Sequence, residues 1–245
     1  MEKLTPRAVI FDLGSTLIEY EAVPWEELTR QCAESGRKFL AKSGYAVPNA
    51  AEFHEQLESA KSDFRKLAED EHIEWDVTKA ANVLFSRLGW QNTNGLCDAF
   101  FDAYYKAVEK QLYVYDDTVS TLTRLRNSTV TIGLISNTVF PERVHAVELR
   151  RFGIEKFFDF TIFSSSFGLR KPHPDIFYKA SNMAGVAPRE AVYVGDRYKE
   201  DIVGPSQIGM PAILKVKQGR EYPAEMPALE RRINRLSELF DHLDF

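Results

Sequence analysis

Four short polar clusters in this chain carry the residue types that catalysis draws on. They are Asp12 in FDLGSTL, Ser136 and Asn137 in LISNT, Lys171 in GLRKPHPDIF, and Asp196 with Asp201 in VGDRYKED. Three gathered carboxylates repel one another and any anionic ligand unless a cation sits among them. Their hard oxygens, with no accompanying His/Cys set, favour Mg2+ over zinc. A lysine with small hydroxyl and amide donors is what a phosphoryl group needs in order to be held. A carboxylate can then attack that group and form an aspartyl-phosphate that water cleaves.

These residues act together only if the fold brings them to one edge, and the sequence provides for that. Ala8–Phe11 is a short, wholly apolar run that ends at Asp12, as expected of a strand buried on both faces. Similar runs recur at 129–136, 158–163, 191–194 and 211–215, with helical patterns between them at 117–126, 141–151, 174–183 and 200–208. Such alternation predicts a parallel α/β sheet, doubly wound and Rossmann-like, with its functional groups beyond the carboxyl ends of the strands. Between Leu17 and about Tyr115 the pattern changes to four helical stripes with no convincing strand. The stripes run through Trp25–Phe39, Phe53–Leu67, Val77–Leu88 and Leu96–Ala107, with breaks at Gly44–Pro48, Glu69–Glu71 and Gly89–Gly95. The expected organisation is an α/β core of residues 1–16 and 116–245 with an all-helical domain of 17–115 inserted. Residues 229–243 read as an exposed closing helix, with Arg231, Arg232 and Arg235 on its solvated face.

Composition narrows the function classes. The chain has 245 residues, 44% of them hydrophobic, with 31 Lys and Arg against 36 Asp and Glu for a net charge of −5. That balance argues against a nucleic-acid binder, which presents a basic face to phosphates, and leaves a small anionic substrate open. Cys32 and Cys97 have no zinc spacing and read as buried free thiols. The N-terminus lacks the apolar core of a secretory signal, and no run reaches bilayer length. The expectation is a cytoplasmic protein without membrane partners, monomeric or homodimeric.

FDLGSTL, ISN, RKPHPDIF and VGDRYKED, in that order over about Val9–Gly209, resemble the four motifs of the haloacid dehalogenase superfamily, and the helical insertion resembles its C1-type cap. Singly, each residue has a plainer reading: Asp12 as a turn former, Lys171 as a solvated cation, Asp196 as a helix cap. Their joint order carries the resemblance. It implies a Mg2+-dependent hydrolase, a phosphatase of small phosphorylated metabolites, with Asp12 as nucleophile. It also implies metal ligation by Asp12, the Gly14 carbonyl and Asp196, with support from Asp201. Ser136 and the Asn137 backbone would bind phosphoryl oxygens, Lys171 would neutralise charge, and the cap would close over the site and add substrate contacts.

One departure matters. Phosphatases of the superfamily carry a second aspartate two residues after the nucleophile, where this chain has Gly14, so the usual general acid and base is missing. A positioned acid or base is worth about 10²- to 10⁴-fold, which predicts a slower phosphatase, a preference for acyl phosphates, or a proton shuttle elsewhere. Glu19, His54 and His72 are the candidates for that shuttle. The same departure opens two alternatives: a 2-haloacid dehalogenase, which also lacks this aspartate but works without metal, and a weakly catalytic or non-catalytic binding protein. The pair Asp196 and Asp201 argues for Mg2+ and against dehalogenation. An imine-forming phosphonate hydrolase would need a cap lysine, for which Lys38, Lys42, Lys61 and Lys66 are available without distinction.

Overall fold

The computed structural model of the protein describes residues 2–91 and 95–245. The chain divides into two compact units, Tyr20–Leu112 and Met1–Glu19 with Tyr113–Phe245. The first unit is helical: α1 Trp25–Lys42, α2 Ala50–Asp70, α3 Val77–Arg87 and α4 Leu96–Glu109. Asn49 and Asp76 start α2 and α3 by accepting the N–H groups of Glu52 and Thr78, at 3.0 and 2.7 Å. The apolar stripes meet in an aromatic core where Phe53 and Phe85 approach the Phe100 ring edge-on. Gly36 lets α1 pack closely on α4, since a Cβ there would lie 2.3 Å from the Phe100 ring. Trp25 and Leu67, expected on these stripes, are exposed. Of the expected break at Gly89–Gly95, residues 92–94 lie outside the described residues.

The second unit is α/β. Its strands are β1 Ala8–Phe11, β2 Ile18–Glu19, β3 Tyr113–Val114, β4 Thr131–Ser136, β5 Phe160–Phe163, β6 Ala191–Gly195, β7 Ala212–Lys215 and β8 Arg231–Ile233. Six form one sheet in the order β5-β4-β1-β6-β7-β8, with every neighbouring pair parallel. Parallel neighbours need crossovers, and α5 Thr118–Arg126, α6 Glu142–Arg151, α7 Ser164–Phe167 and α8 Pro174–Ala184 lie in them. All four side chains of β1 are 0% exposed, so both faces of the sheet centre are covered, as its unbroken apolar run requires.

The structure differs from the sequence reading in three segments. β2 and β3, where no strand was expected, pair antiparallel through Ile18↔Val114 and Glu19↔Tyr113; two residues apiece are too few to establish an alternation. Residues 229–243 are not a closing helix. Arg231–Ile233 extends the sheet as β8, with Arg231 buried, and only Leu239–His242 is α-helical. Where an α-helix was expected at 200–208, Tyr198–Val203 is a π-helix and only Gly204–Ser206 is α-helical. Among the described residues no helix is long and apolar enough to cross a membrane. Cys32 and Cys97 are free and buried, and burial pushes their thiols up to about 12 and about 11.

Candidate active site

β4, β1 and β6 lie side by side, so their carboxyl ends open at one edge of the sheet. The registers Phe11↔Leu134 and Phe11↔Val194 set Asp12 level with the ends of both neighbours, and the Asp12 N–H continues the ladder to the Val194 carbonyl at 2.8 Å. Ser136 ends β4 and Asp196 follows β6 directly. A polar group at such a strand end has left the apolar layers, which is why chemistry collects there.

Asp12, Asp196 and Asp201 each bring an oxygen within 4.8 Å of the other two, and all three are buried. Asp201 reaches back from the π-helix. Its Oδ2 accepts the N–H groups of Asp196 and Arg197 at 3.0 and 2.8 Å, which fixes the turn that carries Asp196. Gly195 makes room for it, since a Cβ there would lie 2.4 Å from Asp201 Cγ. Lys171 is buried against the cluster with all three ammonium hydrogens directed: to Asp12 Oδ1 at 2.6 Å, Asp201 Oδ1 at 2.6 Å and the Tyr193 hydroxyl at 2.8 Å. The Asn137 carboxamide fixes the backbone of that lysine. Its Nδ2 donates to the Lys171 carbonyl at 2.9 Å and its Oδ1 accepts the Lys171 N–H at 2.8 Å. Among the described residues, Asp12 Oδ2 and Ser136 Oγ have no hydrogen-bond partner, and Gly14 makes no hydrogen bond to the carboxylates.

The electrostatics follow from crowding in a dry place. Burial, with Asp201 adding repulsion and Lys171 opposing, pushes Asp12 up to about 6. Burial, then repulsion from Asp12 and Asp201, pushes Asp196 up to about 8 against the pull of Arg220. Burial works against the Lys171 charge, but Asp12 and Asp201 outweigh it and hold the ammonium well above the usual lysine range. Three buried carboxylates gathered against Lys171 and Arg220 make a hard-oxygen cluster suited to a divalent cation such as Mg2+.

The haloacid dehalogenase-like hydrolase family model matches residues 6–209, from the strand before Asp12 to the turn after Asp201. The chain belongs to this hydrolase family. It is 27% identical over 242 residues to a glyceraldehyde 3-phosphate phosphatase of Methanopyrus kandleri, with 96% of each chain covered. Among solved structures it resembles a 2-haloacid dehalogenase from Pseudomonas syringae (TM-score 0.74, 26% identity, 97% of each chain). It also resembles a HAD phosphatase from Thermococcus onnurineus (TM-score 0.66, 26% identity, 96% of each chain).

Several residues of this HAD-like hydrolase escaped the sequence reading. Tyr193 lies inside the apolar run of β6 and reads as core, yet its hydroxyl accepts from Lys171 and donates to the Ile135 carbonyl at 3.3 Å. Arg220 follows β7 in a loop without periodicity and pairs with Asp196 Oδ2, while Thr16 donates to Asp196 Oδ1 at 3.4 Å. Ser15 holds a left-handed φ of 59°, uncommon for a residue with a Cβ. Its neighbours hold it there: Lys215 Nζ donates to its carbonyl and Lys217 Nζ to its hydroxyl, each at 2.9 Å. Of the three candidate shuttles, Glu19 is engaged by Tyr115 at 2.5 Å and Lys217 at 3.0 Å, while His54 and His72 lie in the helical unit.

Proposed function

We propose that the protein is a Mg2+-dependent phosphatase of small phosphorylated metabolites that works through an aspartyl-phosphate on Asp12. The observation that carries this reading is the asymmetry of Asp12: Lys171 holds Oδ1 at 2.6 Å, and Oδ2 has no partner among the described residues. A carboxylate anchored by one oxygen and free at the other is oriented for attack. Residues 17–115 are read as the cap of the enzyme. Glyceraldehyde 3-phosphate, named for the relative at 27% identity, is the first substrate to try.

Asp12, the Gly14 carbonyl and Asp196 would hold Mg2+. Asp201, whose two oxygens already accept from Lys171, Asp196 and Arg197, would support them from behind. When bound, the ion supplies Lewis-acid stabilisation of the charge on the phosphoryl oxygens. Asp12 Oδ2 attacks phosphorus, the bond from phosphorus to the leaving oxygen breaks, and the leaving group takes its proton from solvent because Gly14 has none to give. Ser136 Oγ and the Asn137 N–H hold the phosphoryl oxygens, and Lys171 offsets the charge that builds up between nucleophile and substrate. Water then attacks the same phosphorus, the bond to Asp12 breaks, and inorganic phosphate leaves with the carboxylate restored.

A second reading, dehalogenation, is favoured by Gly14 and by the likeness to a 2-haloacid dehalogenase at a TM-score of 0.74. The clustering of Asp12, Asp196 and Asp201, with oxygens within 4.8 Å of one another, weighs against it. The test is turnover of glyceraldehyde 3-phosphate, other phosphate esters and acetyl phosphate, with Mg2+ and with EDTA, alongside halide release from 2-haloacids. Metal-dependent phosphate release supports the proposal. Halide release that is indifferent to EDTA supports the second reading instead.

A further inference from the structure

α6 carries two ionisable side chains that the chemistry above does not use. His145 and Glu148 are each 2% exposed and three residues apart on one helix face. His145 Nδ1 lies 2.8 Å from Glu148 Oε2, and Nε2 lies 2.8 Å from Thr138 Oγ1. Thr138 Oγ1 also accepts the Phe140 N–H at 3.0 Å. With the imidazole proton on Nδ1, each of these links sets a donor against an acceptor. Phe140 N–H points to Thr138 Oγ1, the Thr138 hydroxyl to Nε2, and Nδ1–H to the Glu148 carboxylate. The imidazole lies flat on Phe163, ring centroids 4.9 Å apart. An apolar pair would pack α6 without desolvating a carboxylate, so packing alone does not account for the chain of polar groups.

The chain ends at the turn that begins with Ser136 and Asn137, and that turn is braced from two other directions. Ser164 Oγ accepts the Thr138 N–H at 2.8 Å and donates to the Thr138 carbonyl at 3.2 Å, while Ser165 Oγ donates to the Phe140 carbonyl at 2.7 Å. Asn137 in turn exchanges two hydrogen bonds with the Lys171 backbone. A continuous set of contacts thus runs from Glu148 through the turn to the lysine that holds Asp12.

We propose that Glu148, His145 and Thr138 form a positioning relay that holds the Ser136–Asn137 turn in the shape that receives phosphoryl oxygens. The receiving role rests on the phosphatase reading above. The test uses the Mg2+-loaded full chain and its Thr138→Val, Thr138→Ser and His145→Leu variants. It compares competition by inorganic phosphate, KM and kcat for acetyl phosphate, and amide exchange over residues 136–140. Thr138→Val and His145→Leu weaken phosphate binding and raise KM by up to about 100-fold, the cost of a small misplacement of binding groups. kcat changes less, exchange accelerates at 136–140 while β4 stays protected, and Thr138→Ser restores both. A folded Thr138→Val protein that binds phosphate like the wild type overturns the relay alone, as does exchange that rises throughout β4 and α6. Wild-type protein that neither binds phosphate nor turns over acetyl phosphate overturns the phosphatase reading, and the receiving role with it.

Discussion

Lys171 Nζ donates to Asp12 Oδ1 at 2.6 Å from a fully buried position, and Asp12 Oδ2 is left without a partner among the described residues. One contact thus orients the candidate nucleophile and supplies the positive charge that its attack on a phosphoryl group would need. Lys171→Met removes that charge and leaves Asp12 and Asp201 facing each other. The expected results are a fall in kcat of about 10²- to 10³-fold and a loss of about 3–5 kcal/mol of stability. Steady-state kinetics and urea denaturation check the two.

Gly195→Ala tests the seat of Asp201. The new methyl would stand 2.4 Å from Asp201 Cγ, so the carboxylate must move, and its contacts to Lys171, Asp196 and Arg197 loosen together. Overpacking of this kind costs about 1–3 kcal/mol. Thermal unfolding should report that loss, and the apparent Mg2+ affinity should fall with it.

The pH dependence of stability follows from two raised carboxyls. Asp12, at about 6, and Asp196, at about 8, both lie above the ordinary aspartate value of 3.8. The folded state therefore binds their protons more tightly than the unfolded chain does. Their contribution is fully present below pH ~4 and is lost as pH rises through about 6 and about 8. In EDTA these two groups make the protein less stable at pH 8.5 than at pH 6, and Mg2+ narrows the difference. Binding of Mg2+ near neutral pH also releases protons, which calorimetry in buffers of different ionisation enthalpy measures directly.

Asp12, Ser136 and Asp196 were legible because each ends an apolar run that only a buried strand accounts for, and Lys171 because it stands in a recognisable motif. Tyr193 was hidden by the same logic, since a tyrosine within AVYVG is indistinguishable from core until its hydroxyl finds Lys171. Arg220 and Lys217 lie in an irregular segment whose approach to Asp196 and Ser15 no local pattern encodes. β8 read as helix because three residues give no alternation, and because Arg231 buries its stem where a charge is expected in solvent.

Gly14→Asp tests the missing acid. An aspartate two residues after the nucleophile would offer a proton to the departing oxygen. It is expected to accelerate hydrolysis of poor leaving groups, such as simple sugar phosphates, by about 10²-fold or more. Acetyl phosphate, whose leaving group needs no protonation, should gain little. The ratio of the two rates, wild type against variant, is the measurement.

The covalent role of Asp12 is tested by trapping its phosphorylated form. Protein turning over acetyl phosphate in Mg2+ is quenched in acid, reduced with borohydride, and the peptide containing residue 12 is identified by mass spectrometry. Conversion of Asp12 to homoserine is expected in the wild type, with no such product without substrate and no turnover by Asp12→Asn. Phosphate release that persists in Asp12→Asn, or turnover without any reducible acyl phosphate at residue 12, would contradict that role.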